Sequence, residues 1–240
     1  MSSGGARPGE FGLIARFLKP LAGDPAAFGL TDDAASFTPD PGFDLVLTKD
    51  MIAAGVHFFP DDPPRSIARK ALRVNLSDLA AKGAEPVGYL LGLALPSDWT
   101  VDWMQEFSAG LGEDQDRYGI ALLGGDTVRA AGGLTLSITA IGRVPRGAMV
   151  RRAGAAPGDA LVVTGTLGDA ALGLRLRLGT LAAPPEGGAH LLDRYLHPRP
   201  RNALAAAVRR HASAALDISD GLMGDLAHMT GASGVTAVIE

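Results

Sequence analysis

The run "DDPPRSIARKALRVNLSDLAAKGA", residues 61 to 84, constrains the fold more than any other stretch. Two prolines open it and no helix breaker follows until Gly83, so a helix is predicted over residues 64 to 82. Asp62 is its expected cap. At 100° per residue, Ile67, Ala71 and Val74 share one face, with Ala68, Leu72 and Leu79 beside them. Arg69, Lys70, Arg73 and Ser77 fall on the opposite side. Asp78 points with Ile67 and Ala71, and Asn75 lies next to it. A carboxylate in an apolar stripe is costly unless a cation or several donors compensate it, or unless the helix end lets it reach solvent or an arginine.

Apolar runs flank this helix. "FDLVLTKDMI" reads as a buried strand running into Asp50, and "EPVGYLLGLALP" as another. Residues 100 to 118 read as a helix, "GIALLGGDT" as a strand entering a tight Gly-Gly-Asp turn, and "GLTLSITAIGRV" as a longer strand. Proline, glycine and arginine then crowd residues 144 to 157, where a boundary is expected between a first domain, 1–145, and a second, 146–240. Beyond it, "DALVVTGTLGDAALGLRLRL" suggests strand, glycine turn and helix, "RNALAAAVRRH" a helix, "AALDIS" a strand and "DGLMGDLAHMT" a helix. The alternation sets the class as α/β, mixed α+β. The last run, "GVTAVIE", looks like a strand with no closing element, so the chain is expected to be a piece of something longer.

A formal charge of −4 with no basic block argues against a nucleic-acid surface. The absence of cysteine removes disulfides and thiolate metal sites. "MSSGGARPGEFG" lacks the apolar core of a signal peptide and "YLLGLAL" is too short to span a bilayer, so a cytoplasmic chain without membrane partners is expected.

The carboxylates carry the chemistry. Asp50 follows "LVLTK", Asp126 follows "ALLGG", and Asp217 ends "AAL" with Asp220 just beyond it. In open α/β sheets ligands gather past the carboxyl ends of strands, and oxygen-only donors suit a hard ion such as magnesium that bridges phosphates. Each site has a plainer reading: Asp220 as a helix cap, Asp126 as a turn residue, and Asp32 and Asp33 of "TDDAA" as a turn pair. Asp225 is expected to be an ordinary exposed helix residue. The stretch from Asp217 to His228 has glycine one place too early for an EF-hand, and "GTLGDAALG" lacks the Gly-Lys-Ser/Thr of a P-loop. His57 stands alone between apolar residues, and no acid–base or Ser-His-Asp set is defined by spacing.

In order along the chain, "GEFGLIARF", "TDDAA", "TKDMIAAGVHF", "ALRVNLSDLAAKGAEP", "LLGGDT", "RRAGAAPGD", "TGTLGDAALGL" and "LDISDGLMGDLAHM" together resemble the thiamine-monophosphate kinase family, within the aminoimidazole ribonucleotide synthetase-like superfamily. The resemblance implies a two-domain fold whose second domain is incomplete, the chain being C-terminally truncated relative to the family. It implies ATP-dependent phosphorylation of thiamine monophosphate to thiamine diphosphate with several magnesium ions, and a homodimer built through the N-terminal domain. It further implies that Asp33, Thr48, Asp50, Asp78, Asp126, Asp217 and Asp220 hold metal, that Gly125, Asp126, Arg152 and Ser219 contact ATP, and that His57 contacts the thiamine substrate. Phosphoryl transfer to a phosphate already ionised needs positioning and charge neutralisation more than a base, and Arg152 adds a fixed cationic fork.

Two residues depart from the family pattern. Thr31 stands where glycine is usual before the aspartate pair, and Lys49 where threonine is usual before Asp50, so Lys49 either points away or displaces an ion. The family's later segment, which supplies an acidic and an aromatic residue that hold the thiamine moiety, has no counterpart here. The alternatives are another ATP-using enzyme of the superfamily and a non-catalytic dimerising fragment that binds ATP and magnesium.

Overall fold

The computed structural model describes residues 7–182, 184 and 186–239; the opening "MSSGGA" and the closing Glu240 of "GVTAVIE" lie outside that set. A short helix, α1 (Glu10–Leu13), continues into a π-helical turn over Ile14–Leu18, burying Leu13, Phe17 and Leu18. Four strands follow: β1 (Phe43–Ala53), β2 (Glu85–Leu95), β3 (Ala121–Arg129) and β4 (Thr135–Pro145). They form one sheet in the order β1-β4-β2-β3, with β4 antiparallel to both its neighbours and β2 parallel to β3.

Two helices, α2 (Pro64–Ala81) and α3 (Val101–Tyr118), pack on one face of that sheet. The apolar stripe of α2 supplies Ile67, Ala68, Ala71, Leu72, Leu76 and Leu79, and α3 supplies Met104, Phe107 and Leu111. Opposite them lie Val46 and Ile52 of β1, Tyr89, Leu91 and Leu93 of β2, and Leu136, Ile138 and Ala140 of β4, all buried. Gly83 adopts φ +69° and stops α2, a conformation that L side chains resist.

Several expectations are corrected. Asp62 does not cap α2; Pro63 sits at the cap, while Asp62 is buried and accepts the Phe59 N–H at 2.9 Å. Lys70 and Arg73, on the face away from the apolar stripe, are buried as well, because α3 and a later helix cover that side. β1 is not buried on both faces: it runs past Asp50 to Ala53, with Val46 and Ile52 inward and Leu45, Leu47 and Met51 exposed outward. Gly124, Gly125 and Asp126 form no tight turn; β3 passes through them, with a register shift that leaves Leu123 out of step against β2.

The second part of the chain contains α4 (Asp169–Arg177), α5 (Gly188–Leu196), α6 (Ala205–His211) and α7 (Leu222–Ser233). The strands expected in "DALVV", "AALDIS" and "GVTAVI" are not formed among the described residues. A strand is defined by its partner ladder, and these runs form none among the described residues; "AALDIS" has only the single backbone bond from Ala215 N–H to the Arg151 carbonyl. Leu161, Val162, Ile218, Val238 and Ile239 are consequently exposed.

Candidate functional site

The alternation of β1 decides which of its polar groups matter. Thr48 and Asp50 share the inward parity of Val46 and Ile52, so both face α2. The Thr48 hydroxyl donates to Asp78 Oδ2 at 2.5 Å. The Asp50 N–H donates to Asn75 Oδ1 at 3.0 Å, and the fully buried Asn75 anchors itself by donating to the Ala71 carbonyl at 3.0 Å. Lys49 has the opposite parity. Its ammonium donates to Ser137 Oγ at 2.5 Å on the outer face, so it points away from the carboxylates and displaces nothing there.

Asp217 arrives from the second part of the chain. Lys82 Nζ donates to the Ala215 carbonyl at 2.9 Å, and Ala215 N–H donates to the Arg151 carbonyl at 2.9 Å. Val150 N–H in turn donates to the Lys82 carbonyl at 3.2 Å, so both segments are stitched to the end of α2. That seam places Asp217 against Asp78. Burial pushes the Asp217 carboxyl up to about 6, the negative charge of Asp78 pushes the same way, and Asp225 and Asp50 add to it against an opposing Ser77 hydroxyl. Asp50 is likewise raised, first by burial and then by Asp78, while His57 pulls it down. Three mutually repelling carboxylates therefore meet where β1, α2 and the 215–217 segment converge, and among the described residues none of them enters an ion pair.

Cations stand at the margin of this cluster. The Lys82 ammonium is destabilised by burial and by nearby Arg152, and favoured by Asp217 and Asp78. His57 folds back so that its Nδ1 accepts the Ala53 N–H at 3.1 Å, which leaves Nε2 as the outward donor of the neutral ring. Asp225 is corrected from exposed to buried, at 6% exposure. Its Oδ2 accepts the N–H groups of Ser219, Asp220 and Gly221 at 3.0, 3.1 and 3.2 Å. One carboxylate thus fixes the loop that carries Ser219 and Asp220, both of which remain exposed. An acid in the first turn of a helix that begins after glycine can reach back to the preceding N–H groups, and that was the available signal.

Asp33 and Asp126 are elsewhere. With Asp32, Gly124 and Gly125 they line a separate cleft of about 150 Å³ between β3 and the 30–35 segment. Asp50 lies opposite Ile138, Ile138 opposite Leu91, and Leu91 opposite Gly125, so Asp126 is almost level with Asp50 but on the other edge of the sheet. Three strand spacings separate them, about 14 Å. A Cβ on Gly125 would overlap the Leu91 carbonyl, so only glycine lets β3 run this close to β2. Among the described residues, no three acidic or histidine side chains converge tightly enough to grip one ion alone. Lys70, Lys82 and Ser77 escaped sequence reasoning because their neighbours are remote in the chain, whereas the role of Asp225 is set by the adjacent 219–221 turn.

Residues 31–144 match the family model for the N-terminal domain of AIR synthase related proteins, and residues 156–240 that for the C-terminal domain. That is the class which the sheet, its two covering helices and the acidic seam define. The thiamine-monophosphate kinase of Caulobacter vibrioides is 49% identical over 230 residues, covering 95% of this chain and 64% of its own length. The crystal structure of thiamine-monophosphate kinase from Stenotrophomonas maltophilia K279a aligns with a TM-score of 0.82 at 44% identity, over 94% of this chain and 72% of that one. AaThiL complexed with AMPPCP and TMP aligns with a TM-score of 0.76 at 34% identity, over 94% and 71%. The chain belongs to the thiamine-monophosphate kinase family, and it spans about two thirds of the length of these relatives.

Proposed function

We propose that the chain phosphorylates thiamine monophosphate to thiamine diphosphate with ATP, by direct transfer to the acceptor phosphate. The observation that carries this reading is the Asp50–Asp78–Asp217 cluster, none of whose members enters an ion pair among the described residues, in a chain related to kinases of that name and to AaThiL bound to AMPPCP and TMP. Its donors are all oxygen, and Lys82 and His57 at its margin leave the Asp50 and Asp217 carboxyls still raised, so further positive charge is favoured there. That fits magnesium, which takes one or two carboxylates per ion together with substrate phosphate oxygens and water. Asp50, Asp78 and Asp217, with Thr48 and Asp220 beside them, would hold the ions, which when bound neutralise phosphate charge as it shifts.

The chain's own groups do the rest. The Thr48 hydroxyl orients the Asp78 carboxylate. Asn75 fixes the backbone at Asp50, and Asp225 holds the Ser219 loop for the nucleotide. Arg152, beside Lys82 at the cluster margin, supplies a fork for the ATP phosphates. The outward Nε2–H of His57 faces the acceptor. No general base is required, since the acceptor phosphate is already an anion.

The outer face of the sheet supports a homodimer. Leu45, Leu47, Met51, Leu90 and Val128 are exposed there, an apolar surface that a second copy would cover. Two such sheets closing on each other would bring the β3 edge of one protomer to the β1 edge of its partner. Asp33, Gly125 and Asp126 of one copy would then join Asp50, Asp78 and Asp217 of the other, which a single chain holds about 14 Å apart. We place the division between the two parts after residue 145 and the protein in the cytoplasm; no described helix is long and apolar enough to cross a membrane. The test is product analysis with thiamine monophosphate, ATP and magnesium. Magnesium-dependent thiamine diphosphate formation, lost in Asp126→Asn with the fold intact, is the expected result. ATP binding without transfer to thiamine monophosphate would refute it.

A further inference from the structure

Lys70 lies one helical face away from the acidic cluster, in a part of α2 that the proposed chemistry does not use. Its side chain is buried, and its ammonium has three recognisable neighbours. It donates to the His57 carbonyl at 3.2 Å, it sits 3.7 Å from the centre of the Tyr195 ring, and the Asp62 charge acts on it favourably. Burial lowers its pKa to about 8 against that favourable charge. A lysine held this deep is costly to keep unless its charge has a task or a strong partner.

The loop it holds is the one that carries His57. Phe58 plugs that loop into the core at 3% exposure, and Gly55 N–H donates to the Phe58 carbonyl at 2.8 Å. Asp62 closes the far end through the Phe59 N–H. The second part of the chain grips the same segment from the other side. Arg177 of α4 pairs with Asp61 at 2.6 Å and Asp62 at 3.2 Å and lies over the Phe59 ring at 4.4 Å, while Tyr195 of α5 meets Phe59 edge-on at 6.2 Å. The His57 segment is therefore clamped between α2 and the α4–α5 pair, and Lys70 touches both the Tyr195 ring and the His57 backbone.

We propose that Lys70 is a positioning residue for the acceptor substrate: its ammonium, seated on Tyr195, fixes the His57 carbonyl and so sets where the imidazole is presented. The inference rests on the reading of His57 as the thiamine-side contact. Truncating such a prop moves a loop without removing any group that touches substrate, and small misplacements are costly in phosphoryl transfer.

The test uses the full chain with Lys70→Met, which keeps the apolar stem and removes the charge. Amide hydrogen exchange at residues 55–58 is expected to quicken at least tenfold while α2 exchange is unchanged. The KM for thiamine monophosphate is expected to rise at least tenfold, with the KM for ATP and the magnesium requirement within threefold of wild type. A merely structural lysine would move both KM values or neither. Unchanged exchange at 55–58 overturns the proposal whatever the kinetics show. Quickened exchange with an unchanged thiamine-phosphate KM also overturns it, provided His57→Ala raises that KM. If His57→Ala leaves it unchanged, the substrate reading of His57 fails instead, and the exchange result still decides whether Lys70 holds the loop. Should Lys70→Met not fold, Tyr195→Leu is measured in its place and must give the same pattern, more weakly, with Tyr195→Phe unaffected.

Discussion

Replacing Asp217 by asparagine should make the metal-free protein more stable and the enzyme inactive. The Asp217 carboxyl is raised from 3.8 to about 6 in the folded chain, so the native state binds its proton more tightly than the unfolded state does. Stability from that proton is fully present below about 3.8 and is lost as pH rises through about 6. Above pH 7 the ionised group costs about 3 kcal/mol at 1.36 kcal/mol per unit. The side chain is partly open to water, and screening brings this to about 2 kcal/mol. In a chain of this size that corresponds to a Tm gain of roughly 4–8 °C. Asparagine keeps an acceptor for the Ser77 hydroxyl and removes the repulsion with Asp78, Asp225 and Asp50. Thermal unfolding in chelator at pH 8 should show the gain; by pH 5 the difference should shrink by about half, closing only toward pH 3.8. Adding magnesium and an ATP analogue should then stabilise the wild type and not the variant. If the variant melts at or below wild type at pH 8 without metal, the carboxylates do not repel as described, and the cluster loses its claim to be a cation site.

Three further outcomes are expected. Arg73 and Asp114 form a bidentate pair at 2.7 Å between α2 and α3 with both side chains buried, so Asp114→Ala should cost about 3–5 kcal/mol in denaturant unfolding by leaving the guanidinium unpaired. Gly125→Ala should cost about 1–3 kcal/mol by forcing β3 off the Leu91 backbone, read as a lowered Tm together with weakened nucleotide binding. Leu47→Asp, at a position 63% exposed, should leave the monomer's stability within about 0.5 kcal/mol. In sedimentation velocity it should convert the dimer to monomer and abolish turnover; an unchanged dimer would mean that the outer face of the sheet is not the interface.

Local patterns carried α2, α3, α4, α6 and α7 and the placement of one acid, while α1 and α5 went unread. Prolines 63 and 64, Gly83 and a 3.6-residue period marked α2 within one residue, and the same wheel put Asp78 on the sheet-facing side, where Thr48 meets it. Alternation in β1 turned Lys49 outward and Asp50 inward, although the run was rich enough in apolar residues to be read as buried on both faces. Periodicity records which residues share a face of their own element. It does not record what covers that face, and so the burial of Lys70, Arg73 and Asp225 was hidden: their partners, Tyr195, Asp114 and the 219–221 backbone, are set by packing or by a turn.

The sequence by itself determined the types of β1 to β4, α2 and α3, an oxygen-only set of candidate ligands and, through its motifs, the family. Tertiary structure alone decided which aspartates are neighbours. Strand order β1-β4-β2-β3 sends Asp50 and Asp126 to opposite edges, and the seam through Lys82 and Ala215 brings Asp217, far along the chain, against Asp78. It also decided that "DALVV" and "AALDIS" form no strands among the described residues, since a β-strand exists only by pairing. The physical reason is the same throughout. Torsional preference and side-chain period are written within a few residues, whereas a charge cluster is a sum of contacts between segments that only the folded chain brings together.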